Sequence, residues 1–164
     1  MTRVVWPLVT VLIAACVEPP ELAVPSPEDV EGYYASESDL DVAISGNVAV
    51  VTVEQSAAEL RRGGSLWAKV GPYIYLFSDE TRRVFEDYAG LAAVRVVTRT
   101  AGGDEIANAL LARDELTGVL WRRSLNIAGQ ARLEGTERPG LLEDLVRWGE
   151  EHTEHAYDQR YVPR

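Results

Sequence analysis

Only one cysteine occurs in the 164 residues. That excludes an internal disulfide framework and any Cys-rich zinc or iron–sulfur centre. Positive charge is also short: 16 Lys and Arg stand against 26 Asp and Glu, a formal −10. This balance argues against nucleic acid as a partner, because phosphate recognition needs clustered basic side chains. The double-arginine pairs Arg61–Arg62, Arg82–Arg83 and Arg122–Arg123 do not make such a cluster. Each falls within a predicted helix among acidic neighbours and reads as a solvated or salt-bridged face. No apolar run reaches the roughly 20 residues that a membrane-spanning helix needs. Gly-x-Ser-x-Gly, the P-loop and Gly-x-Gly-x-x-Gly are all missing, and no cofactor is expected. Histidine is limited to His152 and His155.

What is there begins with a leader. Met1-Thr2-Arg3 supplies one positive charge, and "VVWPLVTVLIAA" supplies an apolar run. Charge, then apolar run, then small residues is the layout of a secretory signal, helical from about Leu8 because Pro7 disfavours an earlier start. The run ends in Ile13-Ala14-Ala15-Cys16: an aliphatic residue, two small ones and the lone cysteine. Small side chains let a protease approach the backbone closely, and a thiol is the natural nucleophile for making a thioether.

This tetrapeptide resembles the lipobox of bacterial lipoproteins, and the resemblance covers the leader alone. It implies that residues 1–15 are a signal peptide recognised through Ile13, Ala14 and Ala15. It also implies that cleavage falls before Cys16 and that the Cys16 thiol carries a diacylglycerol, with a further acyl chain such as palmitate on the new amino terminus in many bacteria. Two or three acyl chains hold a protein stably on a bilayer. Loss of Arg3 with the leader leaves 15 basic and 26 acidic residues, a formal −11. Anionic lipid repels such a body, so the lipid on Cys16 is expected to provide the membrane attachment. In lipoproteins of double-membrane bacteria an Asp after the cysteine signals inner-membrane retention; Val17 stands there instead, which points to the outer membrane.

After the cysteine, "VEPPELAVPSPEDVEG" (17–32) holds four prolines and reads as an extended tether over 16–32, long enough to hold a domain roughly 40 Å from the membrane. One domain, 33–164, is expected to follow. Its hydrophobic content of 46% and charged content of 26% suit a single folded core.

Within that domain, "DVAISGNVAVVTVE" (41–54) places two β-branched runs around Ser-Gly-Asn and predicts a β-hairpin. Its second run is apolar on both faces, Val48 through Val53, which predicts a central strand covered on both sides. From Gln55 to Tyr88 the period changes. Leu60, Trp67, Val70, Ile74, Phe77, Val84 and Tyr88 recur at helical spacing. Gly63-Gly64 weakens this helix, Gly71-Pro72 is expected to kink or divide it with Pro72 opening a second segment, and "SDET" (78–81) offers a further cap. "LAAVRVVTRT" (91–100) predicts a strand with Val94, Val96 and Thr98 on one face. "EIANALLAR" (105–113) reads as its hairpin partner, although its helix formers and Asp104 also allow a helix. Asp114 then reads as the cap of a helix through Leu116, Leu120, Ser124, Ile127 and Ala131. A last helix from Pro139 carries Leu141, Leu142, Leu145, Trp148 and His152. The expected fold is α+β: a small antiparallel sheet of two hairpins, a long interrupted helix between them and two C-terminal helices.

Chemistry is thinly signalled. Glu151, His152 and His155 would lie on one face if the last helix continued, and such spacing can hold a divalent metal. The zinc-protease pattern His-Glu-x-x-His is missing, and packed histidines are the commoner outcome beside an apolar stripe. Tyr73, Tyr75 and Phe77 in "GPYIYLF" read first as core, with a protein partner or a sugar ring as the alternative. The leading expectation is therefore a non-enzymatic, membrane-anchored envelope lipoprotein serving as an accessory or protein-interaction module. A metal-binding protein or metal enzyme and a carrier of an apolar ligand between sheet and helices stand behind it.

Overall fold

The structure, a computed structural model, describes residues 23–34 and 40–163. The expected signal peptide (1–15), with Ile13, Ala14 and Ala15, and the lipid-bearing Cys16 lie outside the described residues. No helix among the described residues is long and apolar enough to cross a membrane.

The extended tether expected over 16–32 gives way at Ser26 to a helix, α1 (Pro27–Tyr33). The Ser26 hydroxyl accepts from the Asp29 N–H at 3.2 Å, and the Asp29 carboxylate accepts from the Ser26 N–H at 2.9 Å. This reciprocal cap satisfies two donors at the helix start, and Pro27 sits in the first turn, where a missing N–H costs nothing. The Ser26 N–H and, at 2.9 Å, the Ser26 hydroxyl donate to the Asp29 carboxylate and hold it below its ordinary range. Val30 is fully buried, and the Tyr34 hydroxyl meets Thr81 Oγ1 at 2.6 Å. The folded domain thus includes residues 27–32, ahead of the expected boundary at Tyr33.

The first hairpin forms as expected from β1 (Leu40–Ser45) and β2 (Val48–Glu54), joined at Gly46-Asn47. Next comes α2 (Ala57–Leu76), interrupted at Gly64, whose φ of 57° and ψ of −137° only glycine adopts without strain. The division expected at Pro72 does not occur: the helix runs through it to Leu76. Nearby, the buried Gln55 amide donates to the Trp67 carbonyl at 2.6 Å, one turn before the proline. Ser78 caps α3 (Asp79–Asp87), its hydroxyl accepting from the Thr81 N–H, as "SDET" foretold.

Residues 105–113, left between strand and helix, are strand over most of their length. β3 (Ala93–Arg99) and β4 (Glu105–Ala112) form the second hairpin, with a bulge opposite Thr98 and Arg99. The expected cap at Asp114 is not used. Thr117 precedes α4 (Gly118–Glu134), and Leu116 is buried just ahead of it. Then α5 (Pro139–His152) is followed by a short strand that the sequence reading missed, β5 (Glu154–Tyr157).

The five strands lie in chain order, β1-β2-β3-β4-β5. Their pairing is antiparallel except for β2 with β3, which run parallel. The sheet is therefore mixed, where two hairpins alone predicted an antiparallel one. The α+β class stands. A parallel neighbour needs a crossover, and α2 with α3 supplies it. On one face of the sheet Val42, Val51, Val96 and Leu111 pack with Val70, Tyr73 and Leu145 of the helices into the main core. Each such aliphatic side chain contributes about 1.5–3 kcal/mol on burial. Helices α2 and α5 approach closely because Gly149 has no side chain; a Cβ there would run into the Tyr73 ring.

Candidate interaction surface

The three residues considered for a metal are not brought together. Thr153 is extended (φ −139°, ψ 155°), and its hydroxyl donates to the Gly149 carbonyl at 2.7 Å, so the helix stops at His152. His152 Nδ1 lies 3.1 Å from Glu115 Oε1, with its ring 4.2 Å from that of Trp148. His155 sits on β5 beside Tyr157, with a ring separation of 5.2 Å. Glu151 lines a groove between α4 and α5. Among the described residues, no group of three or more His, Cys, Asp or Glu side chains is placed to hold a metal ion. The helical spacing that suggested the site is not realised, because a strand replaces the next turn.

The aromatic stretch resolves mainly into core. Tyr73 and Phe77 are 0% and 1% exposed and stack at 6.1 Å, while Tyr75 is half-buried with Arg132 at 6.0 Å from its ring. One of the arginine pairs lies on the fold's surface in this way: Arg82 bridges Asp79 and Glu86, and Arg83 covers the Tyr33 ring.

Two polar clusters invite a chemical reading. In the first, the Tyr73 and Tyr157 hydroxyls are 2.5 Å apart, Tyr157 donates to Glu150 at 3.1 Å, and Lys69 pairs with Glu150 at 3.2 Å. Burial pushes the Tyr73 phenol up to about 12; burial and the neighbouring Tyr73 hydroxyl push Tyr157 higher still. Both phenols stay protonated near neutrality and act as hydrogen-bond donors. The cluster ties β5 to α2 and α5. In the second, the Arg123 guanidinium stacks 4.3 Å above Trp148, whose indole N–H donates to Ser124 Oγ at 2.8 Å. The adjoining groove, about 290 Å³, also carries Arg147 paired with Asp144 at 2.5 Å. Opposite charges on the same walls leave it without a net preference for an ion of either sign.

The other face of the sheet is organised differently. Strand residues alternate sides, so the register defines its rows. Across the middle run Ala43, Val50, Arg95, Leu110 and Glu154. Beside that row run Asp41, Thr52, Val97, Asn108 and Ala156. The bulge at Ile106 turns Ile106 and Ala107 together toward the helices, where they pack with Ala68, and sets Glu105 opposite Arg99. None of these outward apolar residues belongs to the core clusters that contain the helices. Val48, which precedes Val50 on this face, Val50 itself and Leu110 are half-exposed, while Val97 is buried. The both-sided cover expected for β2 is thus present on one side only among the described elements.

Polar groups on this face are distributed by position. At the centre Arg95 donates to Asn108 Oδ1 at 2.9 Å, and Asn108 donates to Glu105 at 2.6 Å. Around the perimeter Asp41, Glu54, Glu105 and Glu154 are exposed. Half-exposed Val48, Val50 and Leu110 thus flank a polar centre, with charged side chains at the rim. Sequence reading did not reach this surface, because the apolar residues of β2 are continuous and only the pairing register separates its two faces. Comparison of the chain with models of known families, with curated proteins and with solved structures finds no match.

Proposed function

We propose that this chain is a lipid-anchored protein of the bacterial envelope, held through Cys16, whose folded domain is a non-catalytic protein-interaction module. The observation that carries the interaction reading is the sheet face around Val48, Val50 and Leu110, which no described helix covers. The anchoring reading is supported by Ile13-Ala14-Ala15-Cys16 alone. The polar clusters agree with a non-catalytic role, since the hydroxyls of Tyr73, Tyr157 and Ser124 and the indole N–H of Trp148 are all engaged in hydrogen bonds within the fold. The tight filling between sheet and helices, with Val51, Val96 and Leu145 at 0% exposure, favours a binding face on the outside over a ligand held within.

Two measurements test this reading. In cells fed radiolabelled palmitate, label is expected in the wild-type chain and not in Cys16→Ala. Equal labelling of the two, or none in either, sinks the anchor. A photo-crosslinking residue at Leu110 is expected to yield adducts in the envelope, while one at exposed Glu143 on α5 is not. Adducts confined to Glu143 would move the interaction to the helical layer.

A further inference from the structure

We infer that the partner presents a basic amphipathic helix to the open face of the sheet, an inference that rests on the interaction reading above. The backbone groups of β2, β3 and β4 are paired on both sides within the sheet. An extended peptide laid on this face would therefore leave its own N–H and C=O groups unmet, whereas a helix satisfies them internally. The helical side of the same sheet displays that solution, with the α2 stripe lying over β3 and β4.

Dimensions agree. The seven residues of β2 extend about 23 Å, and five strands span about 19 Å across. A helix of about 15 residues covers that length. Its apolar stripe would meet Val48, Val50 and Leu110, the half-exposed apolar residues of this face. The sign of its flanks follows from the rim. Asp41 and Glu154 stand on the two outermost strands, and Glu54 and Glu105 stand at one end. Against these four carboxylates the face carries two guanidinium groups. Arg95 is turned to Asn108, and Arg99 stands in register between Glu54 and Glu105. The chain as a whole carries −10. Lysines or arginines flanking the stripe complement this rim, and acidic flanks are repelled by it. The rim also disfavours a second copy packed face to face, which would bring the same carboxylates together.

The full chain, isotopically labelled, is titrated with a synthetic Leu/Lys peptide of about 15 residues with helical periodicity, and amide chemical shifts are followed. Shifts centred on Val48, Val50 and Leu110 are expected, with affinity falling as salt rises. The double substitution Val50→Asp with Leu110→Asp is expected to weaken binding at least about tenfold. Its circular dichroism should be unchanged, because both side chains point away from the core. Equal binding of a peptide with Glu in place of Lys, shifts centred on the α4–α5 groove, or no binding overturns the inference. So does a concentration-dependent dimer, formed without peptide, that the double substitution abolishes. If the peptide fails while crosslinks at Leu110 persist, the partner is not such a helix and the interaction reading survives. If crosslinks move to Glu143, both fall.

Discussion

Arg113 shows how much one side chain can organise. It leaves the end of β4 and reaches back to the chain between α3 and β3. Nε donates to the Leu91 carbonyl and Nη1 to the Phe85 carbonyl, each at 2.6 Å, while Nη2 donates to the Tyr88 carbonyl. Two of these carbonyls belong to the last turn and cap of α3, which carries no basic residue of its own there. The guanidinium thus serves the helix end from a distance and also packs over the Phe85 ring. Partial burial draws its basicity below the usual arginine range without removing its charge. Lysine keeps the charge but lacks the fork. Arg113→Lys is therefore expected to lower stability by about 1–3 kcal/mol, seen as a reduced urea midpoint with an unchanged slope. An unshifted midpoint would show that water replaces the fork without loss.

At the scale of elements, β5 is the test case. Four residues long, it adds an edge to β4 and is fastened by the Tyr157 hydroxyl to Tyr73 and Glu150. In Tyr157→Phe the ring remains and the hydrogen bonds go. Amide exchange at Asp158, whose N–H donates to the Ile106 carbonyl, should accelerate about tenfold or more. The β2–β3 seam should keep its protection. Acceleration spread evenly over the sheet would show that β5 is not a separate fastening.

Elements differ in how openly the sequence announces them, for local reasons. Ser-Gly-Asn between valine runs marked the first hairpin, and the spacing of Trp67, Val70 and Phe77 marked α2. α1 was hidden because four prolines nearby suggested an extended chain, although Ser26 and Asp29 stand at capping distance. Gly71-Pro72 suggested a kink or a division, yet the helix continues through Pro72 and its backbone departs from helical geometry at Gly64. β5 has no alternating pattern to betray it; its place is decided by Thr153 ending α5 and by the Tyr157 hydroxyl. The helical spacing of His152 and His155 failed for that same reason. The open face could not be read at all without the register, since Val48 to Val53 offers apolar residues to both sides.

Over the whole molecule, alkali is a sharper probe than acid for this arrangement. The hydrogen bond to Asp87 pushes the Tyr33 phenol up to about 12, and burial does the same for Tyr73. Both values lie above the ordinary 10.0 that the unfolded chain would show. The folded state therefore holds these protons more tightly. Their contribution is complete below pH 10 and is lost as pH rises through about 12. Stability against urea should be level up to that range and fall within it. Tyrosinate absorbance of the native chain should lag behind that of the unfolded chain. Coincident titration of all seven tyrosines would mean that these hydroxyls are not engaged in solution.

The pleat that sends Val51 inward and Val50 outward has a consequence for how this chain can change over time. On the interaction reading proposed above, core packing and recognition are written on alternate letters of the same strands, so outward letters would be free to drift toward new associates while the interior stays intact. A single residue inserted at Gly46-Asn47 would act otherwise, exchanging the two alphabets along a strand at one stroke. Substitution is the gentle route to change on this face, and insertion the ruinous one.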